Sequence, residues 1–298
     1  MRILVTGTTG QVGAAVARRF DAFATVIRAD RAMLDLTAAP DRIAAALTRA
    51  RPDIIINPAA YTAVDRAEDE PALAHQVNAV APGIIARWAA AHRVPLVHVS
   101  TDYVFDGSGT TPWREDDPTG PVNVYGASKR AGEEAVAEAG GAHLIVRTSW
   151  VYAATGNNFF RTIARLARER EELRVVDDQI GSPTSAAFIA DALAGMFRNR
   201  SDLPQAFTAA RHVVHLAAGG ETNWHAFAEA IVTGLISRGV PVTAQRVVPI
   251  PTAEYPTKAR RPLNSRLDLT RLRGVFGVEP QPWQALLATE LDSLLAQP

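Results

Sequence analysis

A chain of 298 residues is long enough for one large domain or two modest ones around a substantial core. Its 31 basic and 31 acidic residues cancel, which removes any general electrostatic attraction to nucleic acid or an anionic membrane. Cysteine is absent, so disulfides, thiolate metal sites and thiol catalysis are excluded, and a cytoplasmic location is expected. No run approaches the roughly 18 apolar residues of a membrane span, and the opening MRILVTG is too short for a signal segment.

In chain order, short β-branched runs at Arg2–Thr6, Thr25–Ala29, Asp53–Asn57, Leu96–Ser100 and His143–Thr148 read as strands. Helix-period segments lie between them at Val12–Phe20, Pro40–Ala50, Pro71–Ala91 and Tyr125–Ala139. This alternation predicts an α/β fold: a doubly wound parallel sheet with ligands at the carboxyl ends of its strands. Further helices are expected near Asn158–Arg170, Ser185–Arg198, Asn223–Arg238 and Pro282–Leu295. Short strand candidates at Arg174–Val176, His212–Leu216 and Gln245–Val248 either extend the first sheet or build a small one. No linker, repeat or low-complexity tract divides the chain.

The first strand runs into Gly7-Thr-Thr-Gly10-Gln-Val-Gly13 and then an Ala-rich helix. Glycines there let the backbone turn and approach a pyrophosphate, and the helix start supplies free N–H groups and positive potential. Residues 1–150 are therefore read as a Rossmann-type dinucleotide domain, with segments near 174–198 and 212–217 returning to it. Residues 151–298 form mainly a smaller, interleaved substrate lobe. Asp30 stands where an acid would bind the adenosine ribose, and Arg31 beside it suits a 2′-phosphate, so NADH and NADPH both remain open.

Tyr125 and Lys129 lie one turn apart on one face of the fourth helix. A phenol titrates near pH 10, and a neighbouring ammonium is expected to lower that value toward the range where acid–base catalysis works. Thr101, with Ser100 beside it, ends the fourth strand and can hydrogen-bond a reacting carbonyl oxygen; the plain alternative is a hydroxyl that satisfies the backbone. His212 and His215 read as strand residues, and no metal site is expected.

GTTGQVG, NPAAYTAVDRAE, STDYVFDG, NVYGASKRAGE, RTSWVYA, GNNF, DDQIGSPT and RRPLNSRLD follow one another from Gly7 to Asp268. In these stretches the chain resembles the dTDP-4-dehydrorhamnose reductase family of extended short-chain dehydrogenases/reductases. The resemblance implies NAD(P)H-dependent reduction of the C4 ketone of a dTDP-linked 4-keto-6-deoxy sugar to dTDP-L-rhamnose. It gives Tyr125 the role of proton donor, with Lys129 on the nicotinamide ribose and Thr101 on the carbonyl. By the same carry-over Gln11, Val12, Asp30, Asp35, Leu36, Ala60, Tyr61 and Thr62 line the cofactor. Asp102 and Trp150 touch the sugar, while Asn158, Gln179, Arg261 and Asn264 help bind the nucleotide diphosphate. Pro58 and Tyr61 depart from the Ala and His common in the family. Ala14-Ala15 stands where some members carry an acid for an interface divalent ion, which argues against a metal; a homodimer is compatible with the sequence.

Sugar-nucleotide dehydratases of this fold carry an acidic base where Tyr103 stands, which counts against dehydration and, less strongly, against epimerisation. A reductase of another nucleotide-linked 4-keto sugar differs only in the face that receives hydride. A non-catalytic regulatory subunit, like that of methionine adenosyltransferase, would keep the dinucleotide pocket without turnover.

Overall fold

The computed structural model describes residues 1–198 and 202–296. β1 (Arg2–Thr6), α1 (Gln11–Phe20), β2 (Thr25–Ala29), α2 (Pro40–Ala50) and β3 (Ile54–Asn57) come first. Two short helices follow, α3 (Val64–Ala67) and α4 (Pro71–His75), the second running through a wide turn at Gln76–Val80 into α5 (Ala81–Ala91). β4 (Leu96–Thr101), α6 (Val124–Glu138) and β5 (His143–Thr148) complete the first half. Then come β6 (Val151–Tyr152), α7 (Phe159–Glu169), β7 (Glu172–Val176), β8 (Ile180–Gly181), β9 (Thr184–Ser185) and α8 (Ala186–Arg198). The chain closes with α9 (Leu203–Ala209), β10 (Val213–His215), β11 (Thr222–Asn223), α10 (Trp224–Ile236), β12 (Arg246–Ile250) and α11 (Trp283–Leu295).

Six parallel strands form the central sheet in the order β10-β5-β4-β3-β1-β2. Its strands are apolar on both faces because helices cover both. Ile3, Val5, Ile54, Ile56, Leu144 and Val146 point into one core with α1 and α8. The alternate residues Leu4, Ile55 and Ile145 point into the other, against Leu47 of α2, Ile85 of α5 and Val136 of α6. The chain leaves β1 for β2 on one side and returns to β3 on the other, so the switch point lies between β1 and β3.

The single helix expected over Pro71–Ala91 contains a π-type turn, in which Ala81 N–H donates to the Gln76 carbonyl. Pro82 lacks the N–H that would continue the α-helical ladder, and the wider turn accommodates it. Asp53 lies just before β3, where its carboxylate accepts the Arg2 N–H at 2.7 Å. The candidate at Arg174–Val176 does not join the large sheet: β7 pairs in parallel with β12. β10 does join it, beside β5.

Candidate active site

The glycine loop is shaped by close approach. Gly7 has a positive φ of 57°, and a Cβ there would lie 2.9 Å from Ala59 Cα. A Cβ on Gly13 would lie 2.2 Å from the Gly7 carbonyl oxygen. The space such atoms would fill is what lets α1 start hard against β1. Gly10 is its N-cap and no side chain caps the helix, which leaves the first-turn N–H groups for an anionic ligand. These features fit a dinucleotide pyrophosphate.

A buried polar chain runs under this loop. The Ala59 N–H reaches Thr6 Oγ1 at 3.2 Å, and the Thr6 hydroxyl meets Asn57 Oδ1 at 2.6 Å. The Asn57 amide nitrogen lies 3.1 Å from His98 Nδ1, and His98 Nε2 lies 3.3 Å from Lys129 Nζ. Lys129 also donates to the Val99 carbonyl at 2.7 Å. Its side chain is 1% exposed, and burial pulls its pKa down to about 8 against the opposing pull of Glu133. Burial first, then the charges of Lys129 and His143, hold His98 well below the usual imidazole range, so it is neutral.

Asn123 starts α6 by accepting the Gly126 N–H at 2.7 Å, which places Tyr125 in the first turn. Farther along, Glu133 receives Arg147 of β5 through two hydrogen bonds and Ser100 through a third at 2.6 Å, locking the helix to the sheet. Thr101 ends β4 close to Tyr125, and its hydroxyl donates to Asp102. Burial pushes the Tyr125 phenol up; the nearby Thr101 hydroxyl works against this and the charge of Asp102 adds to it. The lowering expected from Lys129 is not among these influences, because the ammonium is turned down toward Val99 and His98.

Asp102, 3% exposed, accepts from the Thr101 hydroxyl at 3.0 Å, and its Oδ2 has no partner. Burial raises its pKa to about 6, opposed by the nearby hydroxyls of Ser265 and Thr101. Beyond the strand ends Trp150 sits at φ 48° and stacks on Trp224 with centroids 3.6 Å apart. Gly181 makes room for that indole, since a Cβ there would lie 2.6 Å from Trp150 Cε2.

The family model described as RmlD substrate binding domain matches residues 1–296. A dTDP-4-dehydrorhamnose reductase of Burkholderia thailandensis is 48% identical over 305 residues, covering 100% of both chains. The chain belongs to this family. Among solved structures, the dTDP-4-dehydrorhamnose reductase of Clostridium acetobutylicum superposes with a TM-score of 0.90 at 32% identity, covering 99% of this chain and 100% of that one. The Bacillus anthracis reductase in complex with NADP gives 0.87 at 34% identity, covering 98% and 99%.

Within this reductase fold the expected site residues fall into two groups. Thr101, Asp102, Tyr125 and Lys129 come together at the carboxyl ends of β4 and the start of α6, with Gly7, Gly10, Gln11, Val12 and Gly13 across the switch point. Asp30 lies just past β2 and accepts the Met33 N–H, while Arg31 is 80% exposed and pairs loosely with Asp35. Asp35 holds the Thr37 N–H and hydroxyl, and Leu36 is buried in the core. Ala60, Tyr61 and Thr62 follow β3; the Tyr61 hydroxyl donates to Glu70 at 2.7 Å.

Several expected substrate ligands are committed elsewhere. Asn158 caps α7 and donates to Gln11 at 2.8 Å. Asn264 pins the loop at Ser108 and Thr111. Gln179 bridges Thr252 and the Trp224 indole. Arg261 pairs with Asp65, and its Nη1 is buried without a partner.

The sequence reading missed His98, Asn57, Asn78, Ser265 and Trp224. Asn78 sits in the π-type turn, where its side chain grips the Tyr61 backbone and the Ser128 hydroxyl of α6. A polar residue inside a strand apolar on both faces must find a partner, and that signal marks Asn57 and His98. Among the described residues no group of three or more His, Asp or Glu is placed to hold a metal ion, and no helix is long and apolar enough to cross a membrane.

Proposed function

We propose that this chain reduces the C4 ketone of dTDP-4-dehydro-6-deoxy-L-mannose to dTDP-L-rhamnose, using NADPH or NADH. The observation that carries the reading is the convergence of Thr101, at the end of β4, with Tyr125 and Lys129 of α6, in a chain that shares its full length with reductases of that name. Gly7, Gly10 and Gly13, with the start of α1, would hold the pyrophosphate, and Lys129 the nicotinamide ribose. When bound, the reduced nicotinamide supplies the hydride.

Tyr125 then gives its phenolic proton to the ketone oxygen while the Thr101 hydroxyl steadies that oxygen. Burial favours the protonated phenol, which is the form a proton donor needs. Asp102, with a free buried Oδ2, takes a sugar hydroxyl, and Trp150 on Trp224 forms an apolar wall for the sugar. In this reading residues 1–150, with α8 and β10, serve the cofactor, and most of 151–298 serves the nucleotide sugar.

Incubation with the dTDP-keto sugar and NADPH, with NMR of the product, tests the assignment. Stoichiometric cofactor oxidation yielding the L-rhamno product supports it; a talo product would reassign the face of hydride delivery. Tight cofactor binding without turnover would favour a regulatory subunit.

A further inference from the structure

We infer that His98 is a positioning residue for Lys129, accepting the ammonium at Nε2 and tying it through Asn57 and Thr6 to the glycine loop. The inference rests on the role proposed for Lys129 above.

Three groups of different elements meet in this chain, all fully buried. Asn57 and His98 are register partners on β3 and β4, and Lys129 comes down from α6. An ammonium carries three donors and must find acceptors when water is excluded. The Val99 carbonyl supplies one at 2.7 Å and His98 Nε2 another at 3.3 Å. The third N–H is left for the active-site side, where a ribose hydroxyl would accept. The other charged groups facing the pair are Glu133 on α6, which is paired with Arg147 and still favours the ammonium, and His143 on β5. Tyr125 lies one turn before Lys129.

Nε2 can accept only if the imidazole carries its proton on Nδ1. That proton then needs an acceptor, which the Asn57 amide provides by presenting Oδ1. Its Nδ2 in turn donates to Thr6 Oγ1. The opposite polarity, with the Thr6 hydroxyl donating to Asn57 and His98 protonated at Nε2, suits a neutral Lys129 amine. The two ends of an amide are alike in shape, so the chain can run in either direction. His98 thus keeps Lys129 satisfied in both states and stays neutral throughout. The same chain ends at the Ala59 N–H, against the backbone that packs on Gly7.

The test compares His98→Leu and His98→Gln with the unchanged enzyme in kcat–pH profiles on the dTDP-keto sugar and NADPH. Leucine removes the acceptor, so the Lys129 ammonium is less favoured and the basic limb of the profile moves down by about one pH unit. Turnover at pH 8 then falls about fivefold, while at pH 6.5 it stays within about threefold. Glutamine, which offers both an acceptor and a donor, restores the profile. Parallel profiles for leucine and the parent would overturn the inference, even if leucine unfolds at lower temperature.

Should both variants fail to fold, ¹⁵N NMR of the histidines in the unchanged protein decides. The inference requires His98 to be neutral from pH 6 to 9 and proton-bearing on Nδ1 when Lys129 is charged. An imidazolium at pH 7 would overturn it. Lys129→Ala separates the two levels: full turnover there would sink the role of Lys129 itself. Lost turnover there, with an unmoved leucine profile, would sink only the part given to His98.

Discussion

Arg147 and Glu133 meet through two hydrogen bonds of 2.9 and 2.7 Å, with side chains only 6% and 3% exposed. The pair joins β5 to α6 and so fixes the face of the helix that carries Tyr125 and Lys129. Ser100 adds its hydroxyl to the same carboxylate, and Phe105 lies under the guanidinium at 5.1 Å. Such geometry is bidentate and leaves few unsatisfied donors. Removing one partner strands the other charge in the core. Glu133→Ala should therefore cost about 3–5 kcal/mol in urea unfolding. A cost below about 1 kcal/mol would mean that α6 is held by its apolar contacts alone.

The glycine loop makes a sharper demand. In Gly13→Ala the new methyl would lie 2.2 Å from the Gly7 carbonyl oxygen, a distance that no rotamer relieves. Helix α1 must retreat from β1, and the free N–H groups at its start move with it. NADPH binding, followed by fluorescence titration, should weaken by at least about 100-fold, roughly 3 kcal/mol. Unchanged affinity would show that the pyrophosphate does not sit at this loop.

Asp102 gives the fold a pH dependence of known sign. Its folded pKa, about 6, lies above the unfolded carboxylate value because burial disfavours the charge. The folded state then holds the proton more tightly than the unfolded one. Its favourable contribution is complete below about pH 4 and is lost as the pH rises through 6. Asp102→Asn removes this loss and should raise stability at pH 7.5 by about 2–3 kcal/mol. The stability difference between variant and parent should vanish near pH 4. A constant difference at all pH values would show that Asp102 does not titrate as described. The same variant should raise KM for the nucleotide sugar, since a buried oxygen without a partner is an open place for a hydroxyl.

The stacking of Trp150 on Trp224 predicts a selective loss. Trp224→Ala removes the support of an indole held at positive φ. An aromatic pair is worth about 0.5–1.5 kcal/mol beyond its area, so KM for the sugar substrate should rise up to about tenfold. NADPH affinity should not change. Equal loss for both ligands would place this wall in general packing and not in the substrate pocket.

The central sheet was legible because its strands are buried on both faces and carry continuous apolar runs, as at Ile54–Ile56 and Leu144–Val146. The glycine loop was legible because tight turn, pyrophosphate approach and helix start all occur within one short stretch. Tyr125 and Lys129 were found by their helical spacing, but where the ammonium points was not. That depends on Val99 and His98, 30 and 31 positions away in the chain. The short pairings β6–β9 and β8–β11 were missed because two-residue strands carry no periodicity. Asn158 and Asn264 illustrate the other limit: a motif gives residue type and order, while burial and neighbours decide which amide is free. Here Asn158 is spent on Gln11 and Asn264 on the Ser108 and Thr111 carbonyls.

The most direct measurement is a single-turnover comparison of Tyr125→Phe with the unchanged enzyme on dTDP-4-dehydrorhamnose, with NADPH affinity measured on the same samples. Loss of the phenolic hydroxyl removes the proton donor and leaves the ring in place. The expected result is a fall in rate of about 10²–10⁴-fold with cofactor affinity unchanged. Retention of more than about a tenth of the parent rate would contradict it, because the proton would then reach the ketone oxygen from a group other than Tyr125.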